Sequence, residues 1–181
     1  MDLVSPWVAR FAPLVPAGEV LDLACGSGRH ARHLAALGHP VLALDRDPAA
    51  LAAAAGPGIV TLQCDLEDGV IPWPFAKGRF AGIVVTNYLH RPLLAQLAAS
   101  LAPDGVLIYE TFSQGNEVFG KPSNPHFLLG QGELLALAGA SGLAVIAYED
   151  GMISQPKPAM VQRLAARGPD LARMHLRLTP E

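Results

Sequence analysis

Short apolar runs alternate with stretches of helical period along most of this chain. Val20-Leu21-Asp22-Leu23-Ala24 is the first run and predicts a buried strand. Helix-forming residues follow over 28–38 and stop at Gly38. Residues 40–44 predict a second strand. Asp47 then reads as an N-cap, with Pro48 in the first turn of a helix through Ala49–Ala55 that Gly56-Pro57-Gly58 breaks. Residues 59–63 predict a third strand ending near Cys64-Asp65, and 67–79 a loop with proline turns. The run 80–86 is apolar on both faces, as a parallel strand covered by helices must be. Further on, the pattern predicts a helix over 91–101 ended by the turn Pro103-Asp104-Gly105, and strands over 106–110, 143–148 and 160–165. A helix is expected from Gly132 to Ala140. Residues 112–129 have no clean period and predict a long loop of the kind that serves as a lid or binding loop. Ser5 and Pro6 open a short helix over 5–15. The alternation of strand and helix predicts an α/β fold with a mostly parallel sheet and helices on both faces.

Composition narrows this picture. A chain of 181 residues, 51% apolar, suits one domain with a full core. The expected division is a single domain over 1–166, whose residues 1–16 lie over the site, and a tail over 167–181. Arg163, Arg167, Arg173 and Arg177 read as a solvated stretch. The net charge of −3 lacks the basic footprint of a nucleic-acid binder. No uncharged apolar run is long enough to span a membrane, and the first residues lack the basic-then-apolar order of a signal peptide. Cys25 and Cys64 sit at strand ends and read as buried thiols of a cytoplasmic protein.

The chemistry concentrates at Gly26-Ser27-Gly28. A glycine turn between a strand and a helix lets a ligand approach backbone amides, and Asp45, at the tip of the next strand, is placed to hold both hydroxyls of a ribose. Together they predict a bound nucleoside. Ala31 stands at the sixth position from Gly26, so glycine spacing alone leaves a dinucleotide open. Asp22 favours instead a ligand with a nucleoside and a positive charge, because its charge repels a pyrophosphate and attracts an ammonium group. Arg29, at the helix start, is placed for a carboxylate. His30 and His33 share a helix side, but no third ligand follows them, so no metal site is expected.

This segment resembles motif I of the class I S-adenosylmethionine-dependent methyltransferases. The resemblance runs from about residue 17 to about 166 and implies their Rossmann-like fold: a doubly wound seven-stranded sheet whose last strand is antiparallel. It implies that Asp22, Ala24, Gly26, Gly28 and Arg29 face the amino-acid end of the cofactor, and that Asp45 and Arg46 flank its ribose. Asp65 and Leu66 would meet the adenine, and Asn87 the methyl donor. Within the superfamily, Arg29-His30 and the run from Glu110-Thr111-Phe112 to Phe127-Leu128-Leu129 are most similar to small bacterial enzymes labelled tellurite-resistance-like or thiopurine-methyltransferase-like. Asn87-Tyr88-Leu89-His90 lacks the prolines that amine-methylating nucleic-acid enzymes place there, which disfavours a base as acceptor.

The expected activity is therefore direct methyl transfer from S-adenosylmethionine to a small molecule, leaving S-adenosylhomocysteine. Tyr88, His90, Glu110 and His126 are the candidates for a general base, and Lys121 for a substrate contact. Trp7, Phe11 and Trp73 are expected to pack in the core or rim. Two other readings stand beside this one: a non-catalytic or partner-dependent module that holds the cofactor, and a nicotinamide oxidoreductase.

Overall fold

The computed structural model describes residues 3–69 and 72–172. Seven strands form one sheet in the order β3-β2-β1-β4-β5-β7-β6. They are β1 (Val20–Leu23), β2 (Val41–Asp45), β3 (Ile59–Gln63), β4 (Phe80–Thr86), β5 (Leu101–Phe112), β6 (Ala144–Ile153) and β7 (Ala159–Arg167). The first five run parallel, and β7 is antiparallel to both its neighbours. The chain steps outward from β1 to β3, then returns to lay β4 on the other side of β1. That reversal opens a crevice beyond the carboxyl ends of β1 and β4, where ligands bind in open α/β sheets.

Helices α1 (Pro6–Phe11), α2 (Arg29–Ala36) and α3 (Pro48–Ala54) cover one face, and α4 (Leu94–Ala99) and α5 (Glu133–Ala140) the other. Strand alternation divides the core accordingly. Val20, Val84 and Ile108 pack with Trp7, Phe11 and Leu34, whereas Leu21, Ile83 and Tyr109 pack with Leu97 and Leu134. The same alternation turns Asp22 toward α2. Both N-caps read from the sequence form: the Ser5 hydroxyl accepts from the Trp7 amide and Asp47 from Ala49. The N-terminal helix is shorter than expected, with Ala12–Leu14 tightening into a 3-10 turn.

Several boundaries differ from the pattern. Pro103-Asp104-Gly105 does not end a helix; β5 already starts at Leu101, and its register on β4 jumps from Phe80↔Leu101 to Gly82↔Val106. The bulge is held by the chain after β7, where the Gly168 amide donates to Gly105 and the Asp170 amide to Pro103. Leu171 is buried in the same core as Trp7, so packing continues into the stretch read as a tail. Arg173 and Arg177 lie outside the described residues. The helix expected over 91–101 is a 3-10 turn, Arg91–Leu93, followed by α4 alone. β6 extends to Ile153 because its ladder with β7 continues across Glu149-Asp150-Gly151. Those residues look like a turn in sequence, yet an edge strand tolerates polar side chains that face water.

Candidate functional site

The floor of the crevice is the β1–α2 turn. Ala24, Gly26 and Gly28 all have positive φ, at 54°, 53° and 77°. The two glycines serve different ends. A Cβ on Gly28 would lie 2.5 Å from the Ala54 Cβ, so Gly28 lets α2 start against the end of α3. A Cβ on Gly26 would project into open space with nothing within 4 Å, on the ligand side of the turn. Asp45 locks the turn in place: one carboxylate oxygen accepts from the Gly26 amide at 2.8 Å and the other from Asp47 at 3.0 Å. Each oxygen keeps a lone pair for a further donor.

Asp22 lies under the turn at 1% exposure, and neither of its oxygens has a hydrogen-bond partner among the described residues. Burial pushes its pKa up to about 7; the nearby Ala31 amide and Arg29 charge oppose that rise without cancelling it, and the Asp45 charge adds to it. A buried carboxyl without a donor is a rare and costly feature, and it fits a site that receives a cationic group. Arg29 flanks it and spends one N–H on the Leu3 carbonyl at 3.3 Å.

Three cavities adjoin along the carboxyl edge of the sheet. The first, of about 200 Å³, is lined by Ala24, Asp45, Arg46, Asp65, Leu66 and Tyr88 among others. Asp65 is fixed by the Glu67 amide at 3.0 Å. Burial, and after it the adjacent Glu67 carboxylate to which it donates, hold the Tyr88 phenol protonated far above its usual range. The Tyr109 hydroxyl donates to the Tyr88 carbonyl at 2.9 Å and pins this corner from below. The second cavity, about 260 Å³, shares Glu67 and Tyr88 with the first. Asn87 and Phe112 separate it from a third of about 330 Å³, roofed by Leu3–Pro6. Asn87 is at φ 56°, and its amide donates to the Glu110 carbonyl. The sequence-predicted residues of the cofactor side thus converge on one edge.

The roof is tied down by a buried polar chain that sequence reasoning missed. Ser5 donates its amide to His30 Nε2 at 3.2 Å and its hydroxyl to Glu110 at 2.9 Å. The other His30 ring nitrogen meets the Thr86 hydroxyl. Burial first, then the neighbouring Arg29 and His33, lower the His30 pKa to about 3, so the ring is neutral and accepts. Glu110 also pairs with Arg163, whose guanidinium reaches Glu149 at 3.0 Å. Arg163 is therefore part of β7 and of the site wall, contrary to its reading as a solvated side chain. Arg167 likewise lies in β7 and donates to the Leu171 carbonyl. The strand expected over 160–165 already held Arg163, but it runs on to Arg167, and the carboxylates and carbonyls that engage the two arginines have no local signal in the sequence.

The candidate bases separate. Tyr88 and Glu110 line the cavities. His90 precedes the 91–93 turn and lines none of the three, and His126 is exposed on the long loop. Arg91 was not singled out, yet it organises that loop. It donates to the carbonyls of His126 and Leu128, both at 2.8 Å, and forks onto Glu133. Lys121 is exposed on the same loop. Trp7 and Phe11 are core residues, and the Trp73 indole donates to Ser100. Cys25 and Cys64 are buried free thiols.

Residues 20–105 match the family model of the methyltransferase domain. The chain is 37% identical over 107 residues to a protein-L-isoaspartate O-methyltransferase from Chlorobaculum tepidum; the match takes in 57% of this chain and 49% of the relative, so the chain spans about half the length of that curated relative. Among solved structures it is similar to an S-adenosylmethionine-dependent methyltransferase from Mesorhizobium loti, with 19% identity and a TM-score of 0.71 over 90% of this chain and 96% of that one. TehB from Haemophilus influenzae superposes with a TM-score of 0.73 at 18% identity, over 91% of this chain and 62% of its own. The match to the methyltransferase domain model is confined to residues 20–105, and the chain as a whole has the Rossmann-like fold of these methyltransferase structures.

Proposed function

We propose that this chain is an S-adenosylmethionine-dependent methyltransferase that passes the methyl group directly to a small molecule. The observation that carries the reading is the unpartnered, buried Asp22 carboxyl beneath a turn that Asp45 braces from the adjacent strand tip. When bound, the cofactor supplies an already activated methyl on a sulfonium. The protein's part is to hold, align and dry the reactants. In this reading Asp22 takes the ammonium of the amino-acid end and Arg29 its carboxylate. Asp45 accepts from the ribose hydroxyls, and Asp65 with the Leu66 amide faces the adenine. Ser5, held by His30 and Glu110, keeps the N-terminal segment closed over the crevice and excludes water.

Glu110 acts here as a positioning residue, since Ser5 and Arg163 occupy its two oxygens. Tyr88 keeps its proton and serves as a donor. The step then rests on alignment, which supplies roughly 7–11 kcal/mol of a barrier in a well-ordered pose. A small acceptor is supported by the cavity of about 330 Å³ under the N-terminal segment, a size that suits a small ligand. The test is release of S-adenosylhomocysteine when the protein meets S-adenosylmethionine and fractionated metabolites. Acceptor-dependent release supports an enzyme. Tight cofactor binding with no release from any fraction favours a partner-dependent module.

A further inference from the structure

We infer that the methyl acceptor is an elongated apolar molecule with an anionic group at the end remote from its nucleophilic atom. The inference rests on the reading above, with Asn87 meeting the methyl donor as the family resemblance implies. The third cavity follows the strand order along the sheet edge: Asn87 after β4, Phe112 ending β5, Val161 on β7, Ile153 ending β6, and Lys157 in the connection between β6 and β7. Strands lie about 4.8 Å apart, so β4 and β7 are separated by about 10 Å. Between those ends Val4, Pro6, Phe112, Ile153 and Val161 give a largely apolar lining, and the polar side chains there, Ser5, Glu110 and Arg163, are already bonded to one another, so a polar group in mid-ligand competes with those bonds.

The charges sort the two ends. Glu110 is the one carboxylate lining this cavity, against three cations: Arg29, Lys157 and Arg163. Arg163 is held between Glu110 and Glu149, so Glu110 carries no uncompensated charge that would select a cationic acceptor. Arg29 sits at the donor end, near enough to oppose the charge on Asp22. Lys157 has no carboxylate within ion-pair distance among the described residues. In a chain of net charge −3 this cationic lining is local. An acceptor amine would meet a like charge at the far end and no free carboxylate anywhere in the cavity.

Octanoate, octanol and octylamine have the same eight-carbon chain and differ in end charge. Calorimetric titration of the protein loaded with S-adenosylhomocysteine is expected to rank octanoate tightest and octylamine weakest, with about a tenfold gap between them. Lys157→Met should close most of that gap, and Lys157→Glu should reverse the order. Lys157 is exposed, so these variants keep the fold, and their S-adenosylhomocysteine affinity checks it. Octylamine binding as tightly as octanoate, or a preference unmoved by Lys157→Glu, overturns the inference while the donor site stands. Failure of the wild-type protein to bind S-adenosylhomocysteine instead overturns the reading on which the inference rests.

Discussion

Asp22 shows how a single residue can trade stability for a site. Its carboxyl titrates near 7 in the fold against about 3.8 when exposed. The unfolded chain therefore loses its proton first, and Asp22 lowers stability progressively from about pH 4 to 7. The fully developed cost is about 4 kcal/mol. Asp22→Asn removes that ionisation cost and leaves a buried amide, worth about 1–3 kcal/mol. The variant should be more stable than the wild type to chemical denaturation at pH 8 and bind S-adenosylhomocysteine far more weakly. His30 acts with the opposite sign: with its pKa at about 3 in the fold, it removes stability as pH falls below 6.5. The two effects oppose each other between pH 4 and 6.5. Denaturation of Asp22→Asn across that range should expose a stability that climbs with pH, and a flat profile would contradict the His30 assignment. The glycines divide in the same way. Gly26→Ala meets only φ strain, about 1–2 kcal/mol, and should fold yet lose cofactor affinity. Gly28→Ala adds a collision with Ala54 and should cost more than about 2 kcal/mol in a thermal melt.

At the level of elements, what the sequence disclosed follows from what is local. The strands at 20, 41, 59 and 80, the caps at Ser5 and Asp47, and the acids at 22, 45 and 65 are written in runs a few residues long. The bulge at Pro103–Gly105 and the full length of β6 depend on partners sixty residues or ten residues away, so neither has a local signature. Arg91 and Arg163 were illegible for the same reason: each is defined by carboxylates and carbonyls that only the fold brings to it. Arg91 gives the clearest test. It joins the start of α4's turn to the carbonyls of 126 and 128 and to Glu133, and the Gly130 amide also donates to Glu133. Its side chain is 40% exposed, which screens the ion pair, so Arg91→Ala should cost only about 1–2 kcal/mol of global stability. The larger effect should be local, with amide exchange in 112–129 faster by at least tenfold. Unchanged exchange there would mean that the loop is held by other contacts.

The whole molecule is a doubly wound sheet whose reversal between β1 and β4 places four acidic and amide-bearing segments around one crevice. The N-terminal segment closes it through Ser5, which links α1, α2 and β5. Binding should therefore tighten the entire domain: a ligand at 100 times its Kd adds about 2.7 kcal/mol to unfolding. Asp45 is where this account is most exposed, because it both braces the Gly26 turn and, in the proposed reading, receives the ribose. The deciding measurement is calorimetric titration of S-adenosylhomocysteine into wild-type protein and into Asp45→Ala, with circular dichroism confirming that both are folded. The account predicts saturable one-to-one binding by the wild type and a loss of at least a hundredfold in the variant. Equal affinity in the two folded proteins would contradict it.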